Sequence, residues 1–307
     1  MICKVAFLAY CICEMPLILD GKKINSEIKQ DLSTHIAISL ADGFTKPCLA
    51  IVQIGNTKES TKYIEHKKKF GHAIGMEVLH IHLPDTVTTA EVLTEIDSLN
   101  TDESVHGIIV QLPLPKHIDR DVIVEAVSSE KDVDGLSSKN IRGLWTNDKG
   151  YILPATARAI LTMLDYYNID VSGKKVVVIG RSTLVGKPIA LALMNRGSTV
   201  TVCHSATLKL ADHTLEADII ISAVGFPRLI TRHFVRPHQV VIDVGTTFIK
   251  DEEVDKIHGD VDFNDVSDIV AAISPVPGGV GPLTVSSLFQ NVYDAYIKKI
   301  HAGRNLK

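Results

Sequence analysis

The stretch VVVIGRSTLVGKPIA, from Val176 to Ala190, decides how this chain of 307 residues is read. Its first residues, VVVI, show no helical period and form a short apolar run, the pattern of a strand buried on both faces. Gly180 closes that strand, and Gly186 lies within the start of the helix that follows. Strand, glycine-containing turn and helix together suit a dinucleotide. Such a turn aims backbone N–H groups and the positive end of the helix dipole at a pyrophosphate. The pattern is GxSxxxG rather than GxGxxG, because Ser182 holds the place of the second glycine. The competing reading is a tight turn in which Gly186 only permits close helix–sheet packing.

The next strand, STVTVCHSAT, ends about twenty residues further on, where an NAD site carries an acidic residue for the ribose 2′-hydroxyl. Here the tip is His204 and Ser205, with no carboxylate, and Arg181 directly follows the first glycine. A missing acid and an adjacent guanidinium favour the 2′-phosphate of NADP. The alternative for Arg181 is an exposed arginine of the turn.

The alternation extends outward in both directions. Downstream, ADIIISAVG and HQVVIDVG read as two further strands, and PVPGGVGPLT as a loop. A C-terminal helix then carries Val285, Leu288, Phe289, Val292 and Tyr296 on one face, with Thr284 as its expected cap. Upstream, ATARAILTMLDYYNI is a helix opening a unit near Pro154. Before it, Ile24, Ile28, Leu32, Ile36 and Leu40 mark a helix face, followed by the strand PCLAIVQIG. The helix KYIEHKKKFGHAIG, the strand EVLHIHLP, a helix from Thr89 and the strand run VHGIIVQLPLP complete a βαβα order, hence a parallel sheet covered by helices. The expected fold is α/β in two domains: residues 15–153 together with a returning C-terminal helix over 284–300, and a Rossmann-type dinucleotide-binding domain over 154–283. Residues 1–14, MICKVAFLAYCICE, resemble a signal peptide only weakly. They read as a dispensable extension before Met15.

Composition narrows the classes. The chain is 45% hydrophobic and 22% charged, with a formal net charge of −4, which suits a globular protein and gives no reason to expect nucleic acid or an anionic membrane. No apolar run is long enough to span a bilayer. Five cysteines without a CxxC pair imply no disulfide framework and fit a reducing, cytoplasmic setting. Thirteen histidines lack metal-ligand spacing, so no metal site is expected.

Polar residues stand out where apolar ones would pack better. On the helix KYIEHKKKFGHAIG, Tyr63, Lys67, Phe70 and Ile74 share a face. A lysine there either snorkels over apolar surface or sits at a pocket wall as an acid–base group. Tyr63 lies one turn before Lys67, within reach of it. Gln111 follows the strand run GIIV at its carboxyl end, where open α/β sheets bind ligands. Asp134, in KDVDG, precedes Gly135 between two helical segments. Gln111 as a strand-end cap and Asp134 as an Asx-turn residue are the ordinary alternatives.

Taken in order, KYIEHKKK, GIIVQLPLP, KDVDG, VVVIGRSTLVGKP, VIDVG, GDVDF and PVPGGVGPLT resemble the bifunctional methylenetetrahydrofolate dehydrogenase/methenyltetrahydrofolate cyclohydrolase family, from Leu17 to about Ile300. The resemblance implies NADP-dependent oxidation of 5,10-methylenetetrahydrofolate, then hydrolysis to 10-formyltetrahydrofolate. That is one-carbon chemistry feeding purine biosynthesis, in a cytoplasmic homodimer associated through its dinucleotide domain. It implies that Lys67 carries the proton transfers of hydrolysis and that Gln111 orients it. Tyr63 would pack along the folate, Asp134 would pair with the pterin, and Ser60, Gly278 and Gly279 would complete the substrate site. On the cofactor side it implies Gly180, Arg181, Ser182, Gly186 and Ser205, with Thr156, Val224, Gly225 and Thr246.

This chain departs from the family pattern in PATA, Pro154 to Ala157, where a PCTP is usual, and in Leu283 and Ile64 for a common methionine and valine. None of these removes a catalytic group. A monofunctional dehydrogenase, a dehydrogenase of shikimate-like acids and a non-catalytic folate- or nucleotide-binding protein remain as alternatives.

Overall fold

Asp20 starts the first helix by accepting from the backbone N–H of Lys22 at 2.8 Å and of Lys23 at 3.2 Å, filling two donors that a helix start leaves open. The structure, a computed structural model, describes residues 15–251 and 254–304. The proposed extension over residues 1–14 lies outside them.

The first unit follows the expected alternation. Helix α1 (Gly21–Ala41) buries Ile24, Ile28, Leu32 and Ile36. Between these elements run strands β2 (Cys48–Ile54) and β3 (Glu77–Leu83), helix α2 (Lys58–Ala73) and helix α3 (Thr89–Thr101). Thr88 and Glu91 close a capping box on α3. Strand β4 (Gly107–Val110) joins β2 in a parallel sheet of order β3-β2-β4. Strand β2 is buried throughout. One of its faces packs on α1 and α2, the other on α3. Short helices α4 (Arg120–Ala126) and α5 (Ser138–Thr146) flank the KDVDG turn.

Helix α6 (Ala155–Tyr166) leads into the second unit, with β5 (Lys175–Ile179), α7 (Gly186–Asn195), β6 (Thr199–Cys203), α8 (Leu210–Glu216), β7 (Ile219–Ser222) and β8 (Val240–Asp243). A hairpin of β9 (Thr247–Asp251) and β10 (Val254–His258) follows, then α9 (Phe263–Val266) and β11 (Ala272–Ile273). The sheet order is β1-β11-β8-β7-β5-β6, all parallel. Its edge strand β1 is Leu17–Ile18, so the start of the first unit pairs with the second unit's sheet. Helix α10 (Val280–Arg304) returns, packing against α1, α6 and β4.

Three local expectations need correction. Thr284 does not cap α10: the helix begins at Val280, and the Thr284 hydroxyl donates to the Val280 carbonyl at 3.3 Å from inside it. Pro282 did not delay the start, because a first-turn proline gives up an N–H that has no helical partner anyway. Helix α7 takes Gly186 as its first residue rather than enclosing it, since Ser182 turns the chain first and its carbonyl accepts from Lys187 N at 3.0 Å. Finally, Tyr63 does not lie on the packed face of α2 and is 42% exposed. The buried stripe is Ser60, Ile64, Phe70, Gly71 and Ile74, rotated by about one residue from the expected one.

Candidate active site

Between the two units lies a cleft of about 390 Å³ lined by Tyr63, Lys67, Gln111, Asp134, Thr156 and Thr246. Each comes from a different kind of position. Lys67 projects from the middle of α2. Gln111 follows β4, held in register because its N–H donates to the Val52 carbonyl at 2.8 Å. Asp134 hangs from the turn between α4 and α5. Thr156 sits in the first turn of α6, and Thr246 just beyond β8.

The Lys67 ammonium donates to Gln111 Oε1 at 2.8 Å, and the Gln111 amide donates onward to the Leu112 carbonyl at 2.8 Å. Gln111 is thus held at both ends, by the Lys67 ammonium and by the backbone just past β4. Burial lowers the Lys67 pKa below that of a free lysine, with the charge of Asp134 opposing the shift. Burial likewise raises that of Asp134, against the pull of Lys67. The cleft therefore pushes both groups toward their neutral forms, which suits an amine that must gain and release protons. Asp134 makes no hydrogen bond among the described residues, so its oxygens remain open to donors on a ligand.

The Asx-turn role considered for Asp134 belongs to its neighbour. Asp132 accepts from Gly135 N at 3.0 Å, Ser137 N at 2.7 Å and Asn140 Nδ2 at 2.9 Å. It is 4% exposed. Asn291 on α10 ties the same turn down, donating to the Val133 and Leu153 carbonyls at 2.8 and 2.9 Å. Neither residue was singled out from the sequence. The signal was the repeated aspartate of DVD, where one carboxylate turns inward and the other outward.

Ser60 lies behind the cleft, not in its wall. It is 5% exposed, accepts from the Thr57 hydroxyl at 2.8 Å and reaches the Leu112 carbonyl at 3.5 Å. Gly278 and Gly279 line an adjoining cavity of about 770 Å³ that shares Tyr63, Thr246, Gly281 and Val285 with the cleft. Their backbone is pressed against α1: Gly278 O accepts from Gly21 N at 2.9 Å, and a Cβ on Gly21 would meet Gly279 O at 1.7 Å.

The β5–α7 turn opens toward the same cleft through Leu184 and Val185. Gly180 has φ 120° and Gly186 packs so closely that a Cβ would fall 2.1 Å from Gly180 O. Ser182 Oγ accepts from Val185 N at 3.2 Å. The backbone N–H groups of Arg181, Thr183 and Leu184 have no hydrogen-bond partner among the described residues, so the turn fits a pyrophosphate. Arg181 and Ser205 are exposed at the carboxyl ends of the neighbouring strands β5 and β6. Val224 and Gly225 follow β7, on the other side of β5. These four line neither cavity.

Comparison with known proteins bears on both halves. The catalytic-domain profile of the tetrahydrofolate dehydrogenase/cyclohydrolase family matches residues 19–134, and its NAD(P)-binding-domain profile matches residues 154–300. The bifunctional protein FolD of Dechloromonas aromatica (strain RCB) is 43% identical over 282 residues, covering 92% of this chain and 98% of that protein. The crystal structure of the bifunctional FolD enzyme from Campylobacter jejuni superposes with a TM-score of 0.89 at 40% identity, covering 92% of this chain and 99% of that one. The Trypanosoma brucei FolD, solved with NADP and an inhibitor, gives 0.90 at 35% identity, with 94% and 99% covered. A lysine–glutamine pair in a cleft between two matched domains, over nearly the whole length, leaves one assignment: the chain belongs to the tetrahydrofolate dehydrogenase/cyclohydrolase family.

Proposed function

We propose that this protein oxidises 5,10-methylenetetrahydrofolate to the methenyl cation with NADP and hydrolyses that cation to 10-formyltetrahydrofolate. The observation that carries the reading is the Lys67–Gln111 contact of 2.8 Å in a cleft that also holds Asp134 and reaches the dinucleotide turn.

NADP supplies the hydride acceptor. The turn from Gly180 to Gly186 would hold its pyrophosphate, with Ser182 at the helix start. Arg181 and Ser205 would contact the 2′-phosphate, and Thr156, Val224, Gly225 and Thr246 would border the nicotinamide half. The two nitrogens flanking the reacting carbon stabilise the cation, so the oxidation asks the protein for positioning. Tyr63 offers its ring along the folate, and the open oxygens of Asp134 suit two adjacent N–H donors of an aminopyrimidine edge. Ser60 braces the start of α2, and Gly278 and Gly279 border the outer part of the substrate site. Hydrolysis then needs a group that takes a proton from water and returns one to the leaving nitrogen. Lys67, with its pKa lowered by burial and beside a cationic substrate, is that group, and Gln111 aims its amine.

The protein would act in one-carbon metabolism leading to purine biosynthesis, in the cytoplasm. Buried free Cys48 and Cys203 accord with that compartment. Exposed Val202 and Met194 beside the edge strand β6 support a homodimer through the dinucleotide domain, which size-exclusion chromatography checks.

The deciding assay follows NADPH formation from methylenetetrahydrofolate together with the decay of methenyl absorbance. Both are expected from the one purified chain. NADPH formation with no accelerated methenyl decay would reduce it to a dehydrogenase. Arg181→Ala should raise KM for NADP by about tenfold or more with little change for NAD, the loss expected of a charge-assisted phosphate contact. Equal losses for both cofactors would remove the 2′-phosphate from Arg181.

A further inference from the structure

Two stretches of the cleft lining serve different ligands under the proposed function. Residues 132–135 carry Asp134, and residues 152–156 lead into α6 and carry Thr156. The two stretches lie against each other: a Cβ on Gly135 would fall 2.7 Å from Ile152 O and from Pro154 N. Two buried amides lace them together. Asn140 Oδ1 accepts from Ile152 N at 2.9 Å, while its Nδ2 donates to Asp132 Oδ2 at 2.9 Å.

The second amide, Asn291, reaches in from α10 and is 2% exposed. Its Nδ2 donates to the Val133 carbonyl at 2.8 Å and to the Leu153 carbonyl at 2.9 Å. Val133 directly precedes Asp134, and Leu153 lies shortly before Thr156. Asn291 Oδ1 accepts from Arg158 Nη1 at 2.7 Å, and the same guanidinium donates to Asp294. An amide has one accepting end and one donating end. Arg158 occupies the accepting end, so the donating end is turned onto the two carbonyls. Asn291 itself does not line the cleft.

We propose that Asn291 is a positioning residue for hydride transfer, setting Asp134, and with it the folate, against the wall that borders the nicotinamide. The inference rests on the folate and NADP reading of the cleft. Oxidation moves one methylene hydrogen with its electron pair from the folate carbon to the nicotinamide ring and leaves the methenyl cation. The donor carbon is anchored through Asp134 and the acceptor lies along Thr156, so the step feels the spacing of the two stretches that Asn291 joins. A displacement of about 1 Å is enough to slow such a step by about a hundredfold. Hydrolysis is built differently. Lys67 on α2 and Gln111 after β4 hold each other at 2.8 Å, and none of the Asn291 hydrogen bonds reaches them. Loss of the Asn291 donor therefore divides the two activities.

The test is Asn291→Asp, which keeps the side-chain volume and turns an oxygen, in place of a donor, toward the two carbonyls. Single-turnover rates at saturating substrate separate the chemical steps from product release. The dehydrogenase rate should fall by about thirtyfold to a hundredfold and methenyl hydrolysis by about threefold or less, so that their ratio drops by about tenfold or more. Both rates come from one preparation, so the ratio cancels any loss of folded protein. Arg158→Met frees the amide to turn and should lower the ratio by about threefold to tenfold, the size of one hydrogen bond from a charged donor. Arg158→Lys, which keeps a donor, should recover most of it. Asp294→Asn breaks the ion pair but leaves the Arg158–Asn291 bond in place, and should leave the ratio unchanged. The Arg158 variants, at a partly exposed side chain, decide the question by themselves where Asn291→Asp does not fold. Equal losses of the two activities in Asn291→Asp, or an unchanged ratio in Arg158→Met, would overturn the proposal. Absence of NADPH formation by the unmodified enzyme would instead sink the reading on which it rests.

Discussion

Asp134 and Asp260 each belong to a loop beside a sheet, one in each unit, and they behave as opposites. Asp260 is fully buried and both its oxygens are occupied: it accepts from the Ser222 hydroxyl at 3.0 Å, Val224 N at 2.8 Å and Phe226 N at 3.0 Å. Its neighbour Asp243 is held the same way by backbone N–H groups, and burial pushes its pKa up to about 7. The chain makes room for this pair with glycines: a Cβ on Gly245 would fall 2.2 Å from Asp260 Oδ1, and one on Gly259 would fall 2.0 Å from Asp243 Oδ2. Asp134 makes no such bonds and faces an amine across a cleft. A carboxylate saturated by its own backbone shapes a loop. One left open on a cleft has both oxygens available to a ligand's donors.

The largest effect that sharpens this contrast is on the amine. Lys67→Met should slow methenyl hydrolysis by about a hundredfold to ten-thousandfold, the range a positioned proton-transfer group supplies. NADP binding, built on the other unit, should persist. Near wild-type hydrolysis in that variant would take Lys67 out of the proton transfers and leave Asp134 facing a merely structural cation.

Next comes stability. Asp260→Ala leaves the N–H groups of Val224 and Phe226 and the Ser222 hydroxyl without their buried acceptor. It should cost about 2–5 kcal/mol in urea unfolding, at roughly 1–3 kcal/mol for each orphaned donor that water does not reach. Asp134→Ala removes a carboxylate that makes no hydrogen bond, so it should shift stability by less than about 1 kcal/mol. Its loss should show instead as a raised folate KM. Equal destabilisation by the two variants would break the comparison.

The sequence disclosed these regions unequally, for physical reasons. Lys67 was legible because an ammonium interrupts an apolar stripe, and Gln111 because a strand of four apolar residues ends on an amide. The β5–α7 turn was legible because close backbone approach demands glycine. What period and spacing do not reveal is which side of an irregular segment faces inward. So Asp132 and Asp134 could not be told apart, and the loop-shaping roles of Asp243 and Asp260 stayed hidden inside VIDVG and GDVDF. The stripe holding Lys67 was also placed one residue off, because Gly71 and Ser60 bury without being hydrophobic.

The smallest effect tests the coupling within the cleft. Burial lowers the Lys67 pKa and the Asp134 charge pulls it back up. The neutral amine is the active form in proton abstraction, so kcat for hydrolysis should fall as pH drops through that pKa. Asp134→Asn deletes the charge that raises it, leaves burial in place, and therefore lowers the Lys67 pKa further. The acid limb of the kcat profile should move to lower pH, and in Lys67→Met that limb should vanish. The same sign appears in stability. A lysine with a depressed folded pKa costs stability as pH falls from about 10.5, where the unfolded chain begins to bind its proton, down to the folded value. Lys67→Met should thus gain on wild type across that window and lose the gain above it. A limb that moves to higher pH in Asp134→Asn would mean that the carboxylate is neutral in the working enzyme and acts on Lys67 as a hydrogen-bond donor rather than as a charge.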